Sequence, residues 1–300
     1  MMLQDIYPSK LNNQYDPNIK ANTNDTIIII EGNDILVRTN HEIKYPKVSD
    51  FSNIDVSKLI YIFSVDDENF FLGNFAFISD EGRLADLSYL ISLQFELRNL
   101  KELRESSMPP KKYIFAAYTA KHLSVWYGNN RFCGRCANSL VHSKTERAMC
   151  CPKCNNTIYP KIMPAVIVGV TNGDRILLTK YKRGYNHNAL IAGFTEIGET
   201  LEETVAREVY EEAGIHVKNI RYYKSQPWGI AGDILAGFYC DVDGDDTITM
   251  DDSELKYAEW VYRDDIILQP DESSLTNEMM KLFKDNKEEA YYLLINKSDK

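Results

Sequence analysis

The sequence predicts an α/β protein in three parts, and three observations lead to this prediction. Short runs of apolar residues surround one highly charged helix in the C-terminal part. Two Cys-x2-Cys pairs lie close together near the centre, and strand-like runs mixed with helical periodicity precede them. We therefore expect an α+β domain over residues 1–128, a zinc ribbon over 129–159, and a sheet with helices on both faces over 160–300.

Composition places the chain among ordinary globular proteins. It has 300 residues, of which 44% are hydrophobic, and this is enough for more than one core. The first residues lack the apolar stretch of a signal peptide, and no apolar run approaches the roughly 18 residues that span a membrane. The formal charge of −10 argues against nonspecific nucleic-acid binding by the whole chain. We expect a soluble, cytoplasmic protein.

The N-terminal part shows strand and helix signals but no catalytic motif. Two hairpins are predicted, one in TIIIIEGNDILVRT around Gly32-Asn33-Asp34 and one in KLIYIFSVDDENFFLGNF. Two helices are predicted from apolar periodicity, in LADLSYLISLQFELRNL and in FAAYTAKHLSVWYGNN. We interpret this part as a scaffold.

The central part contains five of the six cysteines. Cys133 and Cys136 form one pair and Cys151 and Cys154 the other, in the pattern C-x2-C-x14-C-x2-C that is typical of a tetrahedral structural zinc site. A redox pair or disulfides would use the same residues, but disulfides are disfavoured without a secretion signal. Cys150 adjoins Cys151, and the two-residue spacing to Cys154 favours Cys151 as the ligand.

The C-terminal part has the signals of a sheet with flanking helices. PAVIVGVTNGDRILLTKY predicts a hairpin, with Asn172-Gly173 as its two-residue turn. ALIAGF predicts the strand that leads into Gly193, and three further strands are predicted in IRYYKSQPW, ILAGFYCDV and YAEWVYR. A last helix is predicted in LTNEMMKLFKDNKEEAYYLL.

The charged helix lies in GETLEETVAREVYEEAG, residues 198–214. Thr200 followed by Glu203 is a capping box for its N-terminus, and Gly214 is placed to end it. Apolar residues at steps of four form one stripe that would face a core: Leu201, Val205, Val209 and Ala213. The other faces carry the charges.

Three glutamates, Glu208, Glu211 and Glu212, share one face of this helix because they lie three and four residues apart. Arg207 lies four residues from both Glu203 and Glu211 and can hold these acids in place. A solvated charged face is the usual reason for such a helix. Clustered carboxylate oxygens are also the ligands that magnesium and manganese prefer, and the wider pattern favours this second interpretation.

The segment that starts at Gly193 reads G-x5-E-x7-R-E-V-x-E-E-x-G-I and resembles the Nudix box at every specified position. The resemblance implies the Nudix α/β/α sandwich, here preceded by a four-cysteine zinc ribbon and an α+β N-terminal domain. It also implies metal-dependent hydrolysis of a nucleoside diphosphate linked to another moiety. Residues 132–170 resemble the NADH pyrophosphatase subfamily through FCGxC, SKTExAM, CxxC and YPxxxPAxI, and Ser225-Gln226-Pro227-Trp228 matches the start of that subfamily's S-Q-P-W-P-F-P-x-S signature.

The chain departs from the subfamily after Trp228, where Gly229-Ile230-Ala231-Gly232-Asp233 replaces Pro-Phe-Pro and a serine. That segment binds substrate in the subfamily, so the departure leaves the nucleotide preference open. Glycines at both ends of the replacement predict a more mobile loop. We expect a raised KM and a substrate range that includes ADP-ribose.

The resemblance assigns roles to the motif residues. The catalytic residues are Glu208, Glu211 and Glu212, of which Glu211 either binds metal or helps to activate water. The catalytic Mg²⁺ or Mn²⁺ has as ligands Glu208, Glu212, Glu254 and the carbonyl of Ala192, while Glu199 is structural. The substrate contacts are Glu146, Tyr159, Phe194, Gln226, Pro227 and Trp228. Taken alone, Glu254 would be an ordinary surface acid and the aromatic residues ordinary core residues.

The implied reaction is attack of water on the pyrophosphate of NADH or NAD, which gives AMP and nicotinamide mononucleotide. The subfamily also removes NAD caps from RNA, and residues 129–185 carry ten Lys and Arg against only Glu146 and Asp174. This basic stretch would hold substrate phosphates, pair with the acidic N-terminal part, or guide RNA.

The resemblance further implies a homodimer. Two alternatives stay open: a Nudix pyrophosphatase for another compound such as ADP-ribose, and a catalytically silent Nudix binding protein.

Overall fold

The computed structural model of the chain describes residues 2–52, 54–74, 88–182 and 187–288. The chain folds into two units. The C-terminal unit comprises Met1–Asp5, Ile162–Trp228 and Asp233–Lys300, and the N-terminal unit comprises Ile6–Lys161 and Gly229–Gly232. Within the described ranges, no helix has both the length and the apolar character needed to cross a membrane.

A mixed six-stranded sheet forms the centre of the N-terminal unit, in the order β1-β4-β5-β2-β3-β6. Its strands are β1 (Leu11–Asn12), β2 (Thr26–Glu31), β3 (Asp34–Val37), β4 (Ile60–Val65), β5 (Glu68–Gly73) and β6 (Glu96–Asn99). Both predicted hairpins are confirmed, because β2 pairs antiparallel with β3 and β4 with β5. The two hairpins join through a parallel pairing of β2 with β5.

The helices of this unit are α1 (Leu100–Glu105) and α2 (Lys111–Asn129), and short 3₁₀ turns occupy Val48–Asp50 and Val56–Lys58. The helix predicted in FAAYTAKHLSVWYGNN is α2. The helix predicted in LADLSYLISLQFELRNL is wrong over its last part, where β6 pairs antiparallel with β3. Residues 88–92 are helical, and 84–87 lie outside the described residues. Pairing with a neighbouring strand here outweighs the local periodicity.

The ribbon of the N-terminal unit is a three-stranded antiparallel sheet in the order β7-β8-β9. Its strands are β7 (Val141–His142), β8 (Met149–Cys150) and β9 (Thr157–Ile158). Trp126 on α2 donates from Nε1 to the carbonyl of Tyr159 at 3.0 Å. Arg147 donates to the carbonyls of Asn13 and Ile62. These bonds tie the ribbon to the helix and the sheet of its own unit.

The C-terminal unit contains a second mixed sheet, in the order β13-β14-β10-β11-β15, with β12 paired to β10. Its strands are β10 (Met163–Asn172), β11 (Arg175–Tyr181), β12 (Ile191–Phe194), β13 (Val217–Trp228), β14 (Asp233–Val242) and β15 (Leu255–Tyr262). The two central strands, β10 and β14, are parallel. A 3₁₀ turn at Arg263–Asp265 follows β15.

The two faces of this sheet are covered by α3 (Leu201–Ala213) and α4 (Leu275–Lys284). Val166 of β10 packs with Val205 of α3 in one buried cluster. Ile167, the next residue of the same strand, packs with Met279 of α4 in the other cluster. Side chains alternate along a strand, so neighbouring residues of β10 serve opposite helices. The predicted α/β/α sandwich is confirmed; the predicted extension of the last helix beyond residue 288 lies outside the described residues.

The hairpin of β10 and β11 is confirmed, but its turn is displaced by one residue. Asn172 pairs with Arg175, so the two turn residues are Gly173 and Asp174. Gly173 has a φ of 60°, a conformation that glycine adopts without the steric cost of a side chain.

Candidate active site

The charged helix α3 has the ends that its sequence predicts. The side chain of Thr200 accepts a hydrogen bond from the N–H of Glu203 at 3.2 Å, and the Glu203 carboxylate accepts one from the N–H of Thr200 at 2.7 Å. Gly214 ends the helix in the left-handed conformation. Val205, Val209 and Ala213 are fully buried. The capping box, the glycine stop and the apolar stripe are therefore confirmed, and together they fix which face carries the acids.

Arg207 joins three acids at the exposed side of α3. Its guanidinium donates to Glu199 at 2.6 Å, to Glu208 at 2.7 Å and to Glu211 at 2.9 Å, and also to the carbonyl of Phe194 at 3.0 Å. The hydrogen bond to Glu199 is the main reason that the pKa of Arg207 is raised. The predicted contact with Glu211 is present. Glu203, the other predicted partner, instead serves the cap.

Glu199 lies before the helix and supports this arrangement. Its two oxygens accept from Arg207 and from the hydroxyl of Thr204. The hydrogen bond from Arg207 is the largest cause of a pKa lowered to about 2. Both observations fit the structural role that the sequence suggests for this acid.

Glu208 packs against the backbone of β12. A Cβ atom added to Gly193 would lie 1.9 Å from Cδ of Glu208, so no residue with a side chain fits there unless Glu208 moves. Burial is the largest cause of a raised pKa of Glu208, and the hydrogen bond and charge of Arg207 oppose it. The glycine of the motif is therefore required by the position of the glutamate.

Glu212 is the most deeply buried of the helix acids, with 4% of its surface exposed. Its pKa is raised to about 8, first by burial and then by the charges of Glu208 and Glu254, while a hydrogen bond from the N–H of Ala192 acts in the opposite direction. Its Oε2 atom is buried and has no hydrogen-bond partner. Buried carboxylate oxygens nearly always have partners, so this atom fits a site for a divalent cation.

Glu254 lies near these acids because the segment before it, residues 249–251, is hydrogen-bonded to the last turn of α3. The N–H of Thr249 donates to the backbone carbonyl of Ala213 and that of Asp251 to the backbone carbonyl of Glu212, at 2.8 and 3.0 Å. The carbonyl of Glu254 itself accepts from the N–H of Lys182 at 2.9 Å. The structure thus brings Glu254 to Glu208 and Glu212, close enough for its charge to raise the pKa of both.

Tyr181 is a member of this cluster that the sequence motifs do not identify. It is the last residue of β11, where the register shifts, and it pairs with Leu255, the residue after Glu254. Burial raises its pKa, and the charges of Glu212, Glu254 and Glu208 add to this effect. No local sequence signal marks Tyr181, because it reaches the acids only through the pairing of β11 with β15.

Five of the six predicted substrate contacts are at least partly exposed, and they fall into two groups. Phe194 is half-exposed, Pro227 is exposed and Trp228 is partly exposed, so these three can meet a ligand. Glu146 and Tyr159 are exposed on the ribbon, where the Tyr159 hydroxyl donates to Glu146 at 2.9 Å.

The structure does not support Gln226 as a predicted substrate contact. Gln226 is 0% exposed, and its amide is bonded to protein groups, so its side chain does not reach a substrate. In β13, side chains alternate between the two faces, and Gln226 faces the core side.

The four predicted cysteines form one metal-binding set. All four Sγ atoms lie within 4.8 Å of one another. Among the described residues, no other three His, Cys, Asp or Glu side chains come together as closely. The pairs Cys133–Cys154 and Cys136–Cys151 lie 3.6 and 3.5 Å apart. Cys150 lies outside the set, with its Sγ 3.9 Å from the Thr157 hydroxyl. The choice of Cys151 over Cys150 is confirmed.

The two cysteine pairs sit on equivalent turns. The N–H of Ala137 donates to the carbonyl of Cys133 and the N–H of Asn155 donates to the carbonyl of Cys151, at 2.8 and 2.9 Å, and both donors have a positive φ. Burial raises the pKa of Cys133, but backbone hydrogen bonds from Arg135 and Cys136, together with those of neighbouring cysteine side chains, lower it to about 6. The first turn therefore favours Cys133 as a thiolate, the form in which cysteine binds zinc.

The loop that replaces the subfamily's Pro-Phe-Pro is packed closely at its start. Gly229–Gly232 belongs to the N-terminal unit. A Cβ atom added to Gly229 would lie 2.1 Å from the carbonyl oxygen of Tyr118 on α2. The glycine predicted to increase mobility is therefore at a position where only a glycine fits.

Comparison with known proteins agrees with this geometry. Residues 161–283 match the NUDIX domain, and residues 129–159 match the NADH pyrophosphatase zinc ribbon domain. The chain is 42% identical over 160 residues to the NAD-capped RNA hydrolase NudC of Enterobacter sp. (strain 638), and 41% identical to the protein of that name from Escherichia coli O9:H4 (strain HS). Each match covers 53% of this chain and 62% of the relative.

A crystal structure of a NUDIX hydrolase from Nitrosomonas europaea aligns with 52% of this chain and 92% of its own, at 22% identity and a TM-score of 0.46.

The sheet between two helices and the intact glutamate motif define a NUDIX domain, which this chain carries over residues 161–283. More particularly, an NADH pyrophosphatase zinc ribbon domain lies directly before it, over residues 129–159. The chain matches less than two thirds of the length of the NudC relatives, and the first 128 residues lie outside both family matches.

Proposed function

We propose that this protein hydrolyses the pyrophosphate bond of NADH and NAD to AMP and nicotinamide mononucleotide, with Mg²⁺ or Mn²⁺ as the catalytic cation. The observation that carries the proposal is the buried Oε2 atom of Glu212, which has no hydrogen-bond partner and lies beside two further acids. The presence of the NADH pyrophosphatase zinc ribbon supports NADH as the substrate.

Glu208, Glu212 and Glu254 are the residues that would hold the cation. A bound divalent cation neutralises pyrophosphate charge and lowers the pKa of water. Arg207 keeps Glu208 in place and Gly193 leaves room for it. Glu211 is 57% exposed and bound to Arg207, and it either completes the cation site or accepts the proton from the attacking water.

The exposed aromatic residues would bind the rest of the substrate. Phe194 follows Gly193 directly, so a ring stacked on it would place the adjoining phosphates near the carboxylates. Pro227 and Trp228 would contribute further contact area at the end of β13. Aromatic stacking orients a dinucleotide without taking part in bond cleavage.

The direct test is release of AMP from NADH by the purified protein with Mn²⁺, followed by chromatography. We expect AMP and nicotinamide mononucleotide in equal amounts, and no product when a chelator removes the catalytic cation. Products from NADH in the presence of excess chelator, or none in any divalent cation, would contradict the proposal.

ADP-ribose is the second candidate substrate, because Gly229-Ile230-Ala231-Gly232 replaces the subfamily's Pro-Phe-Pro. A lost stacking ring weakens binding by roughly 1 kcal/mol, about fivefold in affinity. We expect NADH to remain preferred, with a raised KM. Comparison of kcat/KM for NADH, NAD and ADP-ribose decides this, and a preference for ADP-ribose above about tenfold would replace NADH as the assigned substrate.

NAD-capped RNA is a further substrate that we propose for the same centre. The relatives are named NAD-capped RNA hydrolases, and residues 129–185 carry a net charge of +8, from ten basic and two acidic residues. A basic stretch favours a polyanion, and its contribution weakens as salt increases. Cap removal from a short NAD-capped RNA should therefore fall with salt more steeply than NADH hydrolysis.

We also infer a cytoplasmic homodimer, and light scattering tests the dimer.

A further inference from the structure

Residues 2–5 are far from the NUDIX domain in sequence but form part of its core. Met2 is 0% exposed and packs in the cluster that contains Met279 and Phe283 of α4. Leu3 is 1% exposed, and its N–H donates to the carbonyl of Ser273 at 3.0 Å. The family match begins only at residue 161, so this segment is an added component of the unit.

The segment is bonded to β13 through two glutamine side chains. Gln4 donates from Nε2 to the carbonyl of Ser225 at 3.1 Å. Gln226 donates from Nε2 to Oε1 of Gln4 at 3.1 Å and to the carbonyl of Ser273 at 2.9 Å. Its Oε1 accepts from the N–H of Leu275 at 2.8 Å. Gln226 thus joins the N-terminal segment, its own strand and the first turn of α4.

The hydrogen-bond network continues through the residues before and at the start of α4. The hydroxyl of Ser274 donates to Oε1 of Gln269 at 2.9 Å, and Gln269 donates from Nε2 to the carbonyl of Asn188 at 2.7 Å. The N–H of Gln269 donates to Asn277 at 2.8 Å. Gln226, Gln269 and Asn277 are all buried. A buried network in which the amides are satisfied favours one arrangement, because any shift leaves a polar group without a partner.

Gln226 lies in β13 directly before two of the predicted substrate contacts. The next two residues are Pro227 and Trp228, which are exposed and partly exposed. Pro227 has no N–H to donate, although the pairing of β13 with β14 continues to Trp228 and Asp233. The buried side-chain amide of Gln226 adds a restraint directly before these two residues.

We propose that Gln4 is a positioning residue, which acts through Gln226 to hold Pro227 and Trp228 in place for a dinucleotide substrate. The proposal rests on the proposed function, in which these two residues contact the nucleotide. Gln4 itself touches neither the substrate nor the carboxylates, so its loss should affect substrate binding and leave the chemical step unchanged.

The test is the substitution Gln4→Ala, with KM and kcat for NADH measured at saturating Mn²⁺. We expect KM to rise about fivefold, the effect of roughly one lost hydrogen bond, with kcat within about twofold and the same Mn²⁺ activation constant. Gln4→Glu keeps the acceptor for Gln226 but sets a carboxylate oxygen against the Ser225 carbonyl, so it should recover only part of the KM. Gln14→Ala, at an exposed glutamine of the N-terminal unit, is the matched control.

Hydrogen exchange of the same variants gives a measurement that does not depend on activity. In Gln4→Ala, we expect faster amide exchange in the peptide around residues 222–230 and unchanged exchange in α3. If exchange rises there while the unaltered protein lacks NADH hydrolysis, the restraint of residues 227 and 228 by Gln4 stands, and it is the proposed function that fails. Unchanged KM and exchange would overturn the inference. Loss of kcat together with faster exchange in α3 would also overturn it, since Gln4 would then serve only general stability.

Discussion

The four cysteines of the ribbon form one metal-binding set, the carboxylates of Glu208, Glu212 and Glu254 are the set that we propose for a second metal, and the chain builds the two differently. The cysteines sit on two copies of one turn, and their sulfur atoms all lie within 4.8 Å of one another. The carboxylates come from one helix and a distant loop, and one of them buries an oxygen that has no partner.

The difference separates a site that supports folding from one suited to chemistry. A closed set of four protein ligands leaves no position for a substrate, which is the rule for structural zinc. An incomplete set of carboxylates leaves positions for water and phosphate oxygens. The cost of the second arrangement is visible in Glu212, whose pKa is raised to about 8 mainly by burial.

Glu212→Gln should have the largest effect on activity. We expect kcat for NADH to fall by at least about 10²-fold, because an amide removes one cation-binding charge. The melting temperature measured in chelator should not fall, since the neutral amide costs less to bury than the carboxylate. Glu202→Gln, at an exposed acid of the same helix, is the control. Unchanged turnover in a folded Glu212→Gln variant would remove α3 from the reaction.

Loss of a cysteine ligand should affect stability instead of turnover chemistry. The protein should contain about one zinc per chain, and Cys133→Ser or Cys154→Ser should release it and unfold the ribbon, because structural zinc supplies folding energy. Cys150→Ser should keep the zinc, since its sulfur lies outside the set. Elemental analysis and thermal unfolding check both outcomes, and zinc loss in the Cys150→Ser variant would contradict the ligand assignment.

Gly193→Ala tests the fit between β12 and Glu208. An added Cβ would lie 1.9 Å from the Glu208 carboxyl carbon, so that side chain must move. We expect kcat to fall by about tenfold with a weaker response to Mn²⁺, the effect of a displaced ligand. Gly128→Ala is the control, because a Cβ there would meet no atom within 4 Å. Equal activity in the two variants would show that Glu208 does not need its present position.

The smallest effect is expected for Glu199→Gln, and it should depend on pH. The pKa of Glu199 is lowered from 4.5 to about 2, chiefly by its hydrogen bond with Arg207. A lowered pKa in the folded state stabilises the protein above the unfolded value, and this stabilisation is lost as pH falls from about 4.5 towards 2. The unaltered protein should therefore melt above the variant at pH 7, and the gap should narrow below about pH 5. A constant gap would contradict this linkage.

The sequence predicts most of α3 because the information there is local. Thr200, Glu203 and Gly214 act within one turn of the helix ends, and the acids share a face through helical spacing alone. The cysteines were found from their spacing, which is typical of structural zinc, and Glu254 was assigned because a family pattern records its position. The displaced turn at Gly173 and the strand β6 were missed, because register and pairing depend on neighbouring strands.

Gln226 and Tyr181 show what local patterns cannot provide. The motif around Gln226 indicates importance, but its burial depends on Gln4 and Ser273, which are remote in sequence. Tyr181 joins the acids only because β11 pairs with β15 beside Glu254. In both cases the role of the residue follows from tertiary pairing.

The buried position of Met2 and Leu3 also sets an order for synthesis. Gln4 and Gln226 are separated by 222 residues, and Leu3 bonds to Ser273, just before α4. Contacts across such separations form slowly, because closing a long loop costs conformational entropy before any contact is gained. Met2 and Leu3 therefore leave the ribosome long before the residues that bury them, and the core of the C-terminal unit can be completed only after α4 has emerged.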